Sequence, residues 1–405
     1  MAIGTVAAAL ALAVGGVLAV WRPSAEVGAA AVLAVRGSGA LYVRVDDVVH
    51  PVLNLASAKL IAATDQPPRE VTEAAIADTE RGALLGIPGA PSLIGPVLSE
   101  AESGWSVCDD EMTTVIAGPL APTVRRTDPD QAILVVGPSG TTYLLYSGRR
   151  ARVDLTDPVV SAVLGAETVA PARVSRALLE LLPEVSPLTA PDIPGLGAPG
   201  PAALPGFLIG EIVQVRQATG SEFLVVLAGG VQRVGRLAAD LLRHSGPSAT
   251  VTAVAPAAVA QLPRLGVLAV QTFPEQIGSI GGADIGVVCA SWTPGSTELR
   301  VGGPALSAAP AALAQADGSG PLTDAVSLPG GRSAYVHAQG TRTVTGALIT
   351  EQGVRFRVGD EESARLLGLP GAALPVPRAV LEALPEGPAL SRSAALTAYD
   401  VVGSP

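Results

Sequence analysis

Lysine is almost missing from this chain: among 26 basic residues in 405, Lys59 is the only one that is not arginine. A phosphate loop of the GxxxxGK[ST] kind needs a lysine behind a run of glycines, so that its ammonium reaches the β- and γ-phosphates. Lys59 follows Asn-Leu-Ala-Ser-Ala with no glycine before it, which excludes a Walker-type nucleotide site at the motif level. Histidine is scarce too. His50, His244 and His337 lie far apart and offer no metal-ligand spacing. No GxSxG elbow occurs, and no histidine stands near a plausible nucleophile in the sequence. Aromatic residues make up 3% and charged residues 15%, well under the usual quarter for charge. The net charge is -10, and the only adjacent basic pairs are Arg125-Arg126 and Arg149-Arg150. A basic stripe interleaved with aromatics, the footprint of nucleic-acid binding, is therefore absent. What remains is small and aliphatic, 48% hydrophobic with 46 glycines and 35 prolines. The length suits two or three domains of roughly 150 residues each.

One long apolar run opens the chain. Residues 3–21 read IGTVAAALALAVGGVLAVW and carry no charge. As a helix, at about 1.5 Å per residue, they span roughly 28 Å, close to a bilayer core of about 30 Å. Trp21 and Arg22 supply an interfacial ring and a snorkelling cation, and Pro23 stops the helix. A cleaved signal peptide is the alternative. It is disfavoured because no basic segment precedes the run, and because the run exceeds the apolar core of about 7–15 residues usual for such signals. A retained transmembrane helix over 1–22 is expected.

Beyond it the chain repeats itself. Residues 161–186 and 363–388 both carry a Leu-Gly pair (Leu164-Gly165, Leu367-Gly368), a Gly/Ala/Pro-rich connection, and then the frame R-A-Φ-L-E-Φ-L-P-E from Arg176 to Glu184 and from Arg378 to Glu386. Short alternating runs around an aromatic start at Gly39, Gly140, Gly220 and Gly353 and read as strands or hairpins. Four hairpin–helix units are thus expected. Two further segments, 104–136 and 266–302, are rich in short β runs and each holds one cysteine. The expected fold is α+β: a transmembrane helix at 1–22, a first repeat at 23–98, a central β-rich domain in two parts (99–137 and 263–332), a second repeat at 138–205, a third at 206–262, and a fourth with the C-terminal tail at 333–405. In the repeated helix, Leu178, Leu181 and Leu182 form the expected buried stripe, with Val380, Leu381 and Leu384 as its counterpart.

Cys108 and Cys289 are the only cysteines, and each has a tryptophan three residues away, in Trp105-Ser-Val-Cys108 and Cys289-Ala-Ser-Trp292. A structural disulfide in an oxidising compartment and two separate buried thiols both fit; the even count and the anchor favour the disulfide, with the tryptophans shielding the sulfurs. Asp109-Asp110-Glu111 lacks the spacing of a calcium loop and reads as a solvated turn. No cofactor and no catalytic constellation is expected.

With these features in place, the sequence resembles the EccB family, the membrane-anchored core component of actinobacterial type VII secretion systems. The likeness rests on the N-terminal apolar segment, LLGIPGAPSLIGP at 84–96 followed by WSVCDD at 105–110, the second cysteine in IGVVCASW at 285–292, and the surrounding repeats. It implies a cytoplasmic N-terminus, one span of the inner membrane and an elongated periplasmic domain. It also implies self-association within a large complex with the EccC ATPase, EccD and EccE, with the mycosin protease associated. Members of that family carry a basic cytoplasmic stretch ahead of the span, whereas here the apolar run starts at Ile3. The expected role is a non-enzymatic structural subunit. Two other classes are compatible with parts of the sequence. One is a cell-envelope protein whose repeats recognise wall polysaccharide through Tyr42, Tyr143, Phe223, Tyr335 or Phe356. The other is a hydrolase drawing on dispersed carboxylates such as Asp154, Asp157, Glu180 or Asp324.

Overall fold

A computed structural model describes residues 28–400 apart from 218–219, 319 and 342–345. The expected anchor at 3–21 lies outside the described residues, and among those described no helix is long and apolar enough to cross a membrane.

Four sheets share one plan. In the first unit three antiparallel strands, Val32–Val35, Leu41–Val45 and Val48–Val52, are followed by the helix Leu55–Ala62. The strand Arg69–Val71 then returns parallel to the first strand, and after the helix Glu73–Ala77 the chain pairs in parallel with the third. The second unit repeats this with strands Gln131–Val136, Thr142–Tyr146 and Arg149–Arg152, helix Pro158–Leu164, parallel strand Ala172–Arg173, helix Arg176–Leu181 and parallel strand Glu184–Val185. The third runs Ile212–Gln217, Gly220–Leu227, Gly230–Val234, helix Arg236–Ser245 and parallel strand Thr252–Val254. The fourth runs Ala334–Ala338, Ala347–Ile349, Arg355–Arg357, helix Glu361–Leu366, parallel strand Leu374–Val376 and helix Arg378–Ala383.

Local chemistry starts these helices. Asn54, Asp157 and Asp360 each accept a backbone N–H of the first helical turn, which satisfies a donor that has no partner inside the helix. The last Glu of the repeated frame lies beyond its helix: Leu182 and Leu384 end the two helices, and Glu184 and Glu386 pair instead with Arg150 and Arg355 on the third strand of their own units.

A fifth sheet of seven strands is assembled from two distant stretches, Trp105–Asp109, Thr113–Ala117 and Val124–Arg126 with Val287–Thr293, Ser296–Gly302, Ala311–Ala312 and Ala325–Ser327. Against the expected division the boundaries move. Gln131–Val136, expected in the central domain, pairs with Thr142–Tyr146 and opens the second unit. That strand reads as a β run, but because Ala132–Val135 are buried on both faces it shows no alternation that would tie it to the hairpin starting at Gly140. Residues 266–273, read as a β run, form no strand. There the amide of buried Gln232 stands in for a neighbouring strand: it donates to Leu268 O and its Oε1 accepts Leu268 N, both at 2.9 Å. Ser279–Gly281 joins the second unit's sheet by pairing with Gln131–Ile133.

Shared cores join the units in a row. The first and fourth bury Val43, Leu60 and Ile87 against Tyr335, Leu348 and Phe356. The fourth and second meet the central sheet through their helices Arg378–Ala383 and Arg176–Leu181. The second joins the third where Leu144 and Leu164 meet Leu237 and Leu241. The end of the described chain returns to the start: Ala398–Tyr399 pairs with Leu84–Leu85.

Candidate functional site: the stapled central sheet and its acidic cleft

The mirror-image Trp-Ser-Val-Cys and Cys-Ala-Ser-Trp segments are neighbouring antiparallel strands in register. Trp105 faces Trp292, Ser106 faces Ser291, Val107 faces Ala290 and Cys108 faces Cys289. The serine hydroxyls hydrogen-bond at 2.8 Å, and the cysteines are joined by a disulfide with Cα atoms 4.1 Å apart. The tryptophans do not shield the sulfurs. Side chains alternate along a strand, so positions three apart point to opposite faces. Trp105 and Trp292 lie in the large core under the helices, whereas Cys108 and Cys289 pack on the far face with Ile116, Val124 and Val287.

The same alternation puts Asp109 on the tryptophan side, and here the solvated-turn reading fails for the first residue of the triplet. Asp109 is 5% exposed. Its Oδ2 accepts the N–H of Ser175 at 2.6 Å, just before the helix Arg176–Leu181, while Oδ1 has no hydrogen-bond partner. Burial pushes its carboxyl up to about 6, against the pull of the Ser175 backbone hydrogen bond. Asp110 and Glu111 are exposed beside it, and Asp110 Oδ1 accepts Met112 N in a tight turn. Across from them Asp324, 1% exposed, accepts Thr113 N at 2.7 Å on Oδ2 and Asp317 N and Gly318 N at 2.8 and 2.6 Å on Oδ1. Asp109, Asp110, Glu111, Arg173 and Ser175 line a cleft of about 540 Å³ whose other walls include Gly137, Gly140, Gly318, Gly320 and Pro321. Pro321 also borders a second cleft, of about 340 Å³, where the two repeated helices face each other and Arg176, Glu180 and Glu382 meet.

The other carboxylates singled out from sequence are not brought together. Asp154 accepts from both the hydroxyl and the backbone N–H of Thr156, and these bonds hold its carboxyl below the usual range. Asp157 caps a helix, and Glu180 pairs with Arg176 at 2.6 Å. His50, His244 and His337 each lie by a different backbone carbonyl. Among the described residues no group of three or more His, Cys, Asp or Glu is placed to hold a metal. Sequence reasoning missed the burial of Asp109, and its position one residue past Cys108 in an alternating strand was the available signal.

Comparison with known proteins gives a consistent result. The family model described as "Type VII secretion system ESX-1, transport TM domain B" matches residues 1–404. "ESX-2 secretion system ATPase EccB2" of Mycobacterium tuberculosis is 35% identical over 98% of this chain and 89% of its own length. "ESX-5 secretion system ATPase EccB5" of Mycobacterium marinum is 34% identical over 99% and 86%. Among solved structures, a chain of the periplasmic assembly from the ESX-5 inner membrane complex superposes with a TM-score of 0.80 at 31% identity, covering 95% of this chain and 97% of that one. A chain of the EccB3 dimer from the ESX-3 core complex gives 0.76 at 30% identity, covering 91% and 100%.

Proposed function

Because this chain belongs to the EccB family of type VII secretion systems, we propose that it is a structural subunit of an inner-membrane secretion complex and has no catalytic activity of its own. The observation that carries the reading is the match over nearly the whole chain to a component of a periplasmic assembly. In this reading residues 3–21 anchor the chain in the membrane and the sheets stand outside the cytoplasm, where the Cys108–Cys289 bridge persists. The subunits it assembles with, as the family resemblance implies, are the EccC ATPase, EccD and EccE, with the mycosin protease attached. Repeated units sharing cores with their neighbours suit a scaffold that presents long surfaces. The wall-polysaccharide alternative needs an exposed aromatic row, but Tyr143, Tyr335 and Phe356 are buried.

Relatives carry "ATPase" in their names. We place hydrolysis in EccC instead, since Lys59 has no glycine loop and the carboxylates singled out from sequence accept backbone and hydroxyl hydrogen bonds or pair with an arginine. Extraction of native membranes in mild detergent should give a particle far above 40.4 kDa containing an ATPase subunit. The purified chain should hydrolyse ATP no faster than a buffer control. Migration alone with its genomic neighbours expressed would sink the scaffold reading, and turnover abolished by one substitution in this chain would sink the non-catalytic one.

A further inference from the structure

Three features converge beside the disulfide. First, Asp109 lines the cleft, is more than nine-tenths buried, and has an oxygen that accepts no hydrogen bond. A buried acceptor left unsatisfied is costly, more so when charged, so a cation placed over it is favoured. Second, among the described residues the lining carries three carboxylates, Asp109, Asp110 and Glu111, against a single base, Arg173. Third, the walls are accessible backbone. Around Gly140 and Gly318 there is open space where a side chain would sit, and Met112, 46% exposed, stands as an apolar step at the rim. Beyond Pro321 the surface continues past Leu322, also 46% exposed, into the second cleft. Among the described residues no aromatic lines either cleft, which gives no stacking platform for a sugar ring.

We propose that this cleft is a docking site for an extended segment of a neighbouring subunit, which places one basic side chain against Asp109, Asp110 and Glu111 and an apolar residue against Met112. The inference rests on the scaffold reading above, since it requires another chain in the complex. A guanidinium or ammonium is complementary in charge to the rim carboxylates, and placed over the buried Asp109 it favours the ionised form of that carboxyl. A cleft of this size holds such a side chain with a few residues of backbone.

Carboxyl footprinting tests it. The purified native complex and the isolated full-length chain in the same detergent are labelled with a carbodiimide and glycine ethyl ester. The exposed carboxylate Glu73 of the first unit serves as reference. Labelling of Asp110 and Glu111 should fall at least fivefold in the complex. The paired substitution Asp110→Asn with Glu111→Gln, which leaves the buried hydrogen bonds intact, should weaken retention of one partner subunit on washing at raised ionic strength. Because Lys59 is the chain's only lysine, a carbodiimide bond from Asp110 or Glu111 to any other lysine identifies the partner directly. Equal labelling in a complex of full size overturns the docking site while the scaffold reading stands. A chain that never assembles removes both. Protection by soluble peptidoglycan fragments, with none gained on assembly, also overturns it and turns the cleft toward the cell wall.

Discussion

At the scale of single residues, Asp109 concentrates the unusual chemistry of the described chain. Its carboxyl titrates at about 6 in the folded protein against an ordinary 3.8, because burial penalises the charged form. A carboxyl raised on folding binds its proton more tightly in the native state, so its contribution to stability is greatest at low pH and is lost as pH rises from 3.8 through 6. Asp109→Asn keeps the acceptor for Ser175 N and removes the charge. Relative to the parent, its stability should therefore grow by on the order of 3 kcal/mol between pH about 3.5 and 7.5, measured by urea denaturation. A constant difference across that range would show that Asp109 does not titrate there. Glu102 has the opposite sign. Hydrogen bonds from Ser99 and Arg332 hold it down to about 2, so its contribution is present above 4.5 and fades as pH falls toward 2.

At the scale of elements, the repeated helices show how far a sequence phase carries. Leu178, Leu181 and Leu182 are buried as the pattern expects, and so is Leu179, because the helix is covered by both its own sheet and the central sheet. In the counterpart, Val380 and Leu384 are buried with Ala379, while Leu381 is only partly covered at the edge of the core. Leu181→Ala should accordingly cost about 2–5 kcal/mol. Leu381→Ala should cost clearly less. Denaturation of both variants side by side checks the order, and the reverse order would mean that Leu381, not Leu181, is the more deeply buried of the two. The hairpin Ser147-Gly148 shows the other kind of constraint. Both residues have positive φ, 46° and 71°, the backbone of a tight primed turn. A side chain at Gly148 would strike the carbonyl of Thr297 in the central sheet, so this hairpin tip touches that sheet only because it ends in glycine.

At the scale of the molecule, the bridge closes a loop of 181 residues that contains the whole second and third units. In the chain-entropy model, removing a link of that length costs about 5 kcal/mol. The double variant Cys108→Ser with Cys289→Ser should lose stability of that order, seen as a lower urea midpoint, and reductant should then leave the variant unchanged while lowering the parent's midpoint. A midpoint shift near zero would mean that the sheet ladder alone holds the two halves together. A second tie crosses the same junction: Arg332, at the entry to the fourth unit, donates to both oxygens of Glu102 and to the carbonyls of Pro96 and Val97 at the exit from the first.

What the sequence by itself determined were the properties that depend on near neighbours along the chain. The single lysine without glycines, the repeated R-A-Φ-L-E-Φ-L-P-E frame and the mirrored Trp-Ser-Val-Cys and Cys-Ala-Ser-Trp segments follow from spacing alone, and antiparallel pairing turns the last of these into a register. Period two also fixed that cysteine and tryptophan point to opposite faces. The tertiary structure decided what depends on a distant covering element. Asp109 is buried because Ser175 and its helix, 66 residues on, lie over it. Residues 266–273 forgo a strand because Gln232, 36 residues earlier, satisfies Leu268. Gln131–Val136 belongs to the second unit because Thr142–Tyr146 pairs with it. An apolar run carries no information about which of two adjacent sheets it joins; hydrogen-bond partners settle that, and they form only when the chain is folded.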